Sequence, residues 1–220
     1  MRGVIREAGR AFRHRLMSDR ERAIEEWKAS GREELRLDYP LDDTALVVDA
    51  GGYAGQFASD MVGRFLCRVH VYEPVTGFAE RIRERFAHNP LVSVHEVGLA
   101  GETRDETIEL RGTGSTIFGG DGDAPSSVVR LVRAADAFAE AGIERIDLLK
   151  LNVEGAEYEV LEHLAATQWL PRIRYLQIQF HDIGAGSDAR MRAMQAWLGQ
   201  THQLMWQYEL VWESWRRREP

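Results

Sequence analysis

Cysteine occurs once in this 220-residue chain, at Cys67, so no internal disulfide can form. Its apolar setting at the entry to a strand reads as a packed core thiol rather than a nucleophile. Long hydrophobic runs are absent as well. No stretch approaches the roughly 20 apolar residues of a bilayer span, and Met1 is not followed by the apolar core of a signal peptide. The expected location is cytoplasmic. Positive charge is in short supply, with 28 Lys and Arg against 35 Asp and Glu for a net charge of -7. That balance argues against general nucleic-acid binding, which rests on neutralising phosphates. Repeats and low-complexity tracts are missing too. What remains, 44% hydrophobic and 29% charged residues, is the composition of a soluble globular protein with one substantial domain.

The chain is organised around Leu46-Val47-Val48-Asp49-Ala50-Gly51-Gly52-Tyr53-Ala54-Gly55-Gln56-Phe57, an apolar strand that runs through a glycine turn into a helix. Consecutive aliphatic residues suit a buried parallel strand, and the glycines let the backbone turn sharply beside a ligand. Asp49, at the strand's carboxyl end, orders that turn. A dinucleotide fold wants G-x-G-x-x-G, and Ala50 breaks that frame. The order D-A-G-G-x-x-G instead resembles the first motif of S-adenosylmethionine (SAM) methyltransferases, which points to Asp49, Gly51, Gly52, Tyr53 and Gly55 as cofactor residues. A second strand, Arg68 to Tyr72, ends in Glu73-Pro74. Pro74 cannot continue the ladder, and Glu73 stands about 20 residues beyond the glycines, where a carboxylate accepts hydrogen bonds from both ribose hydroxyls of an adenosine cofactor.

Residues 1–37 read as an N-terminal helical cover on a domain spanning 38–220. They carry ten Lys and Arg against seven Asp and Glu, so this segment is +3 and the remainder -10. Ile5, Ala8, Phe12 and Leu16 share one helical face, and Ser18 with Glu21 forms a capping box before Ile24 and Trp27. The segment is an amphipathic cover packed on the domain, or alternatively a basic lid over an acidic substrate or a homodimer contact.

Further along, Thr76 to His88 reads as a helix burying Phe78, Ile82 and Phe86, followed by a strand from Leu91 to Val97. Backbone at Val97-Gly98-Leu99 is placed to meet an adenine ring, and 106–111 looks like a further strand. Gly112 to Ser127 is rich in Gly, Ser, Thr and Asp and reads as a mobile loop that closes over the substrate, with Ser115 a candidate contact. Within it, Asp121-Gly122-Asp123 lacks the ligand spacing of an EF-hand.

The most informative chemistry lies in Asp147-Leu148-Leu149-Lys150-Leu151-Asn152-Val153-Glu154-Gly155-Ala156-Glu157, a strand, a polar turn and a helix. Strand carboxyl ends line the ligand crevice of a doubly wound sheet, which brings Lys150, Asn152 and Glu154 to the rim of one site. The next strand, Tyr175 to Asp182, brings Gln179, His181 and Asp182 beside them. The order D-A-G-G-Y, V-Y-E-P, V-G-L, L-K-L-N-V-E-G-A-E and Q-F-H resembles the FkbM family of SAM-dependent methyltransferases over residues 45–182. The family's K-I-D-V-E-G-A-E is matched at Lys150 to Glu157 with Asn152 in place of aspartate, and Gln179 stands where many members carry glutamate. Both changes remove a carboxylate and mark a subgroup.

The resemblance implies a Rossmann-like class I α/β fold, a mainly parallel seven-stranded sheet with helices on both faces. It also implies methyl transfer to oxygen, on a sugar, glycoside or polysaccharide hydroxyl. An alcohol must lose its proton to a base or to a metal-polarised environment. His181 is the first candidate for that base and Glu154 the second, with Lys150, Gln179 and Ser115 as acceptor contacts, and Gly98 and Asn152 on the cofactor. Glu154, His181 and Asp182 also offer ligands for magnesium or another divalent cation. A non-catalytic SAM-binding module and an NAD-dependent oxidoreductase are the alternatives. Of the four tryptophans between 197 and 215, Trp206, Trp212 and Trp215 read as core rather than as a sugar platform.

Overall fold

A computed structural model describes residues 19–111, 114–116, 126–182, 184, 186–209 and 211–219. The face formed by Ile5, Ala8, Phe12 and Leu16, the capping residue Ser18, and most of the expected loop, including Asp121 to Asp123, lie outside them.

The main sheet has seven strands. β1 (Leu46–Ala50), β2 (Arg68–Tyr72) and β3 (Val92–His95) run outward in one direction, and β8 (Ile146–Leu151) and β9 (Ile173–Ile178) in the other. All five are parallel. β11 (Trp212–Arg217) then pairs antiparallel with β9, and β10 (His202–Tyr208) closes that edge. The order β10-β11-β9-β8-β1-β2-β3 reverses direction between β1 and β8, and a crevice opens at the carboxyl ends where strand order reverses.

The strands are buried on both faces, which is why β1 and β8 read as continuous apolar runs. Val47, Val69, Val71 and Leu148 face α2 (Gln56–Phe65) and α3 (Thr76–Arg85) through Phe57, Met61 and Ile82. Leu46, Val48, Leu149 and Leu151 face the opposite way. They meet Phe138 of α4 (Ala134–Glu140), Leu161 and Leu164 of α5 (Glu157–Ala166) and Leu198 of α6 (Ser187–Thr201). Cys67 is fully buried, and burial pushes its thiol up to about 11.

The segment expected as a loop is partly sheet. β4 (Gly98–Ala100), β5 (Arg104–Arg111), β6 (Gly114–Thr116) and β7 (Ser126–Arg133) form a second sheet in the order β4-β7-β5-β6. β7 alternates, burying Val129 and Leu131 while Val128 is exposed. A bidentate ion pair from Arg104 to Glu159 ties this sheet to α5. Ser115 stands on β6 opposite Leu110.

The described part of the N-terminal cover, α1 (Asp19–Ala29) and a 3-10 turn over Arg32–Leu37, packs on the β9-β11-β10 edge. Trp27 is buried and stacks on Trp206. Gln177 of β9 is fully buried and directs its amide to this cover, donating to the Arg36 carbonyl at 2.8 Å and to the Tyr39 hydroxyl at 3.0 Å. Trp212 and Trp215 are core residues. Among the described residues no helix is long and apolar enough to cross a membrane.

Candidate functional site

The glycine turn leaves β1 with Gly51 at φ 85° and reaches the αL cap of α2 at Gly55, φ 72°. Gly51 is irreplaceable on packing grounds alone, because a Cβ there would lie 2.0 Å from the Asn152 carbonyl oxygen. Gly52 is pressed onto Val71 of β2 in the same way. The turn and the end of β8 are therefore locked together.

Lys150 does the locking. It is almost wholly buried, and Nζ donates to Asp49 Oδ1 at 2.8 Å, the Gly51 carbonyl at 2.7 Å and the Ala50 carbonyl at 3.3 Å. Those bonds use all three ammonium protons. Lys150 is thus a brace beneath the turn, and it also borders a cleft there. The sequence carried a signal for this, since a lysine within I-D-L-L-K-L must find a partner if the strand is buried.

Glu73 closes the turn from the other side. Its Oε2 accepts from the Tyr53 N–H at 2.8 Å and Oε1 from the Val75 N–H at 2.9 Å. Burial pushes its carboxyl up, against the pull of those two amides. Tyr53 sits at φ 49° with its ring edge-on to Phe78.

Two clefts meet at this junction. The first is walled by Glu73, Gly98, Leu99, Ile108, Leu131 and Glu154, the second by Glu33, Glu34, Tyr53, Phe57 and Asp60, and both are bordered by Gly51 and Asn152. Asn152 Oδ1 and Asp49 Oδ2 are buried without hydrogen-bond partners. An orphaned amide oxygen on the wall shared by both clefts fits a ligand that donates a hydrogen bond while lying across the turn.

Beyond Asn152 the chain takes a strained course, with Glu154 at φ 53° and Gly155 at φ 111°. Glu157, fully buried, holds that bend: Oε1 accepts from the Val153 N–H and Oε2 from the Gly155 N–H, each at 2.9 Å. His181 lies between two carboxylates, with Nδ1 at 2.7 Å from Glu157 and Nε2 at 3.3 Å from Glu154. Burial disfavours the imidazolium, but the two carboxylates outweigh it and hold the pKa up to about 9. That direction favours the imidazolium and stands against His181 as the proton acceptor that the sequence suggested. His181 lies on the wall of neither cleft and reaches the first only through its contact with Glu154.

The expected metal site does not assemble. Asp182 turns away, its Oδ1 accepting from the Gly184 N–H at 2.9 Å and the Ser187 hydroxyl at 2.6 Å at the start of α6. Both His181 nitrogens face glutamates, and among the described residues no three His, Cys, Asp or Glu side chains are grouped to hold a metal. Gln179 follows β9 and donates its N–H to the Leu151 carbonyl at 2.9 Å, outside both clefts.

Comparison with known proteins gives this junction its family. Residues 49–207 match the methyltransferase FkbM domain. The chain belongs to the FkbM methyltransferase family. Among FkbM relatives, the 31-O-demethyl-FK506 methyltransferase FkbM of Streptomyces tacrolimicus is 43% identical over 53 residues, which cover 24% of this chain and 20% of that protein. The AMB antimetabolite synthetase AmbE of Pseudomonas aeruginosa is 26% identical over 190 residues, covering 68% of this chain and 9% of the synthetase. The matched stretches therefore span a fifth or less of those relatives. In fold, an rRNA methylase from Streptococcus thermophilus superposes with a TM-score of 0.50 at 14% identity, over 81% of this chain and 90% of that one. The fold of this chain is that of a class I methyltransferase, and its family stands against the oxidoreductase reading.

The raised pKa of His181 also makes the stability of this protein depend on pH. Its folded pKa, about 9, lies above the ordinary 6.5, so its contribution is complete below pH 6.5 and is lost as pH rises through 9. Relative to His181→Gln, the wild type is expected to lose roughly 3 kcal/mol across that window in urea unfolding. A difference that stays flat from pH 6 to 9.5 would overturn the doubly paired imidazolium.

Proposed function

We propose that this enzyme transfers the methyl group of SAM to a hydroxyl of a sugar, glycoside or related polyol. When bound, SAM supplies an activated methyl on a sulfonium centre. Glu73 holds its ribose hydroxyls, the apolar wall of Gly98, Leu99, Ile108 and Leu131 its adenine, and Asn152 Oδ1 a donor on its methionine part. Asp49, Gly51, Gly52, Tyr53 and Gly55 keep the turn in the shape that admits it.

One observation carries the choice of a hydroxyl acceptor. Glu154 lies on the wall of the cleft that contains Glu73 and Asn152, its carboxylate 3.3 Å from a protonated imidazole. A carboxylate so placed accepts the acceptor's proton as the oxygen attacks.

Transfer of labelled methyl from SAM to a panel of mono- and oligosaccharides, with magnesium and with EDTA, tests the proposal. Label in a sugar under both conditions is expected. Label that vanishes in EDTA would replace Glu154 by a metal-assisted route, and label found only in non-hydroxyl acceptors would overturn the reaction class. Glu73→Gln is expected to weaken SAM about tenfold or more in calorimetry, in line with roughly 1.5–3 kcal/mol for a hydrogen bond to a charged group. Unchanged affinity would remove Glu73 from the cofactor site.

A further inference from the structure

A third cavity opens at the carboxyl end of β9, one residue along the chain from His181. Its walls are Phe180, Met191, Tyr208 and Trp212, with Glu213 and Gln207 as the polar groups. Glu213 opposes Ile178 in the β9-β11 ladder, so it stands at the same end of the sheet as the turn that carries Glu154. It is 3% exposed. Oε2 accepts from Gln195 Nε2 at 2.9 Å and Gln207 Nε2 at 3.2 Å. Oε1 is buried and makes no hydrogen bond of ordinary length, the indole N–H of Trp215, itself otherwise unpartnered, lying close enough to pull on the carboxylate. Among the described residues no lysine, arginine or histidine forms an ion pair with it. Arg36 lies on the opposite face of this strand pair, over the Trp212 ring, and gives its Nε–H to Gln177.

A buried carboxylate with an unpartnered oxygen is costly, and folding gains nothing from it that glutamine would not supply. Burial pushes its pKa up to about 7, against the pull of the Gln195 amide and the nearby Trp215 indole. The surrounding groups specify what would relieve that cost. Aromatic faces and a thioether favour a small cation with some apolar surface, and the unpartnered oxygen wants a donor. We propose that this cavity is an acceptor subsite for an ammonium group, so that the preferred substrate is a hydroxyl compound that also bears a protonated amine, such as an amino sugar. The amine binds Glu213, and the hydroxyl is presented to Glu154. The inference rests on the hydroxyl-methylation reading for its role, and on the cavity alone for binding.

The two are separable by experiment. Methylammonium chloride is titrated into the protein at pH 8.5, where Glu213 is ionised, with sodium chloride at equal ionic strength as the reference. The readout is the NMR shift of the Trp215 indole N–H. A saturable shift with methylammonium is expected, at least tenfold weaker in Glu213→Gln. That variant keeps shape and loses a buried charge, so it folds at least as well as the wild type, and Tyr208→Leu provides a second weakening that leaves the carboxylate in place. Binding no different from sodium, or unchanged in Glu213→Gln, would overturn the subsite. In transfer assays, kcat/KM for an amino sugar is expected to exceed that for its N-acetylated counterpart at least tenfold, and Glu213→Gln should erase the preference. Equal use of both sugars by the wild type would also overturn it. If methylammonium binds but neither sugar is methylated, the hydroxyl-methylation reading fails while the cation subsite stands.

Discussion

Glu154→Gln is expected to lower kcat for methyl transfer by about 10²- to 10⁴-fold, the usual contribution of a positioned general base, while leaving SAM affinity within a few fold. The substitution preserves length and shape, so the strained turn at φ 53° is retained. What disappears is the ability to take a proton from the acceptor. His181 stays paired through Nδ1 with Glu157 at 2.7 Å and lies on the wall of neither cleft. A merely structural role for Glu154 would show instead as a shifted urea midpoint with kcat little changed. A kcat within about fivefold of wild type in a stably folded variant would remove Glu154 from the proton transfer.

The assignment changes how the strand-end residues divide their work. Glu157 commits one oxygen to the Val153 N–H and the other to the Gly155 N–H, so it shapes the bend that carries Glu154. His181 connects the two glutamates. Its charge balances part of the negative charge that two neighbouring carboxylates would otherwise concentrate in a buried place. Asn152 belongs to the same balance. An amide there leaves an oxygen to accept a hydrogen bond without adding a third anion beside Glu154 and Glu157.

The sheet was legible from the chain because burial on both faces leaves long aliphatic runs, and the glycine turn and the strand-ending Pro74 punctuate them. β7 was not legible. Its inward residues, Val129 and Leu131, alternate with exposed ones and follow a stretch whose Gly, Ser and Asp content reads as loop, so two buried positions were too few to outweigh it. The site was legible by residue and misread by direction. Position at a strand's carboxyl end said that Lys150, Asp182 and His181 were near the crevice, but alternation in a strand cannot tell whether a side chain aims at ligand or backbone. Lys150 aims inward, Asp182 caps α6, and the basicity of His181 is set by two carboxylates brought together only by the fold.

Lys150→Met is the sharpest test of that inward brace, with an expected loss of about 3–5 kcal/mol in unfolding free energy, because one member of a buried ion pair is removed and the other is stranded. Asp49, fully buried, would lose its cation with Oδ2 already unpartnered, and the Ala50 and Gly51 carbonyls would lose their donor. SAM affinity should fall with stability, since Gly51 is pressed so closely on the Asn152 carbonyl that even a methyl group has no room between them, and a turn that relaxes there reshapes both clefts. Pairing it with Asp49→Asn separates the two parts of the cost. The double variant removes the stranded charge, so it should recover more than half of the lost stability in urea unfolding while SAM binding stays weak, the turn still lacking its brace. Recovery of both would mean that Lys150 serves only to neutralise Asp49. A loss under about 1 kcal/mol in the single variant would mean that the glycine turn stands without it.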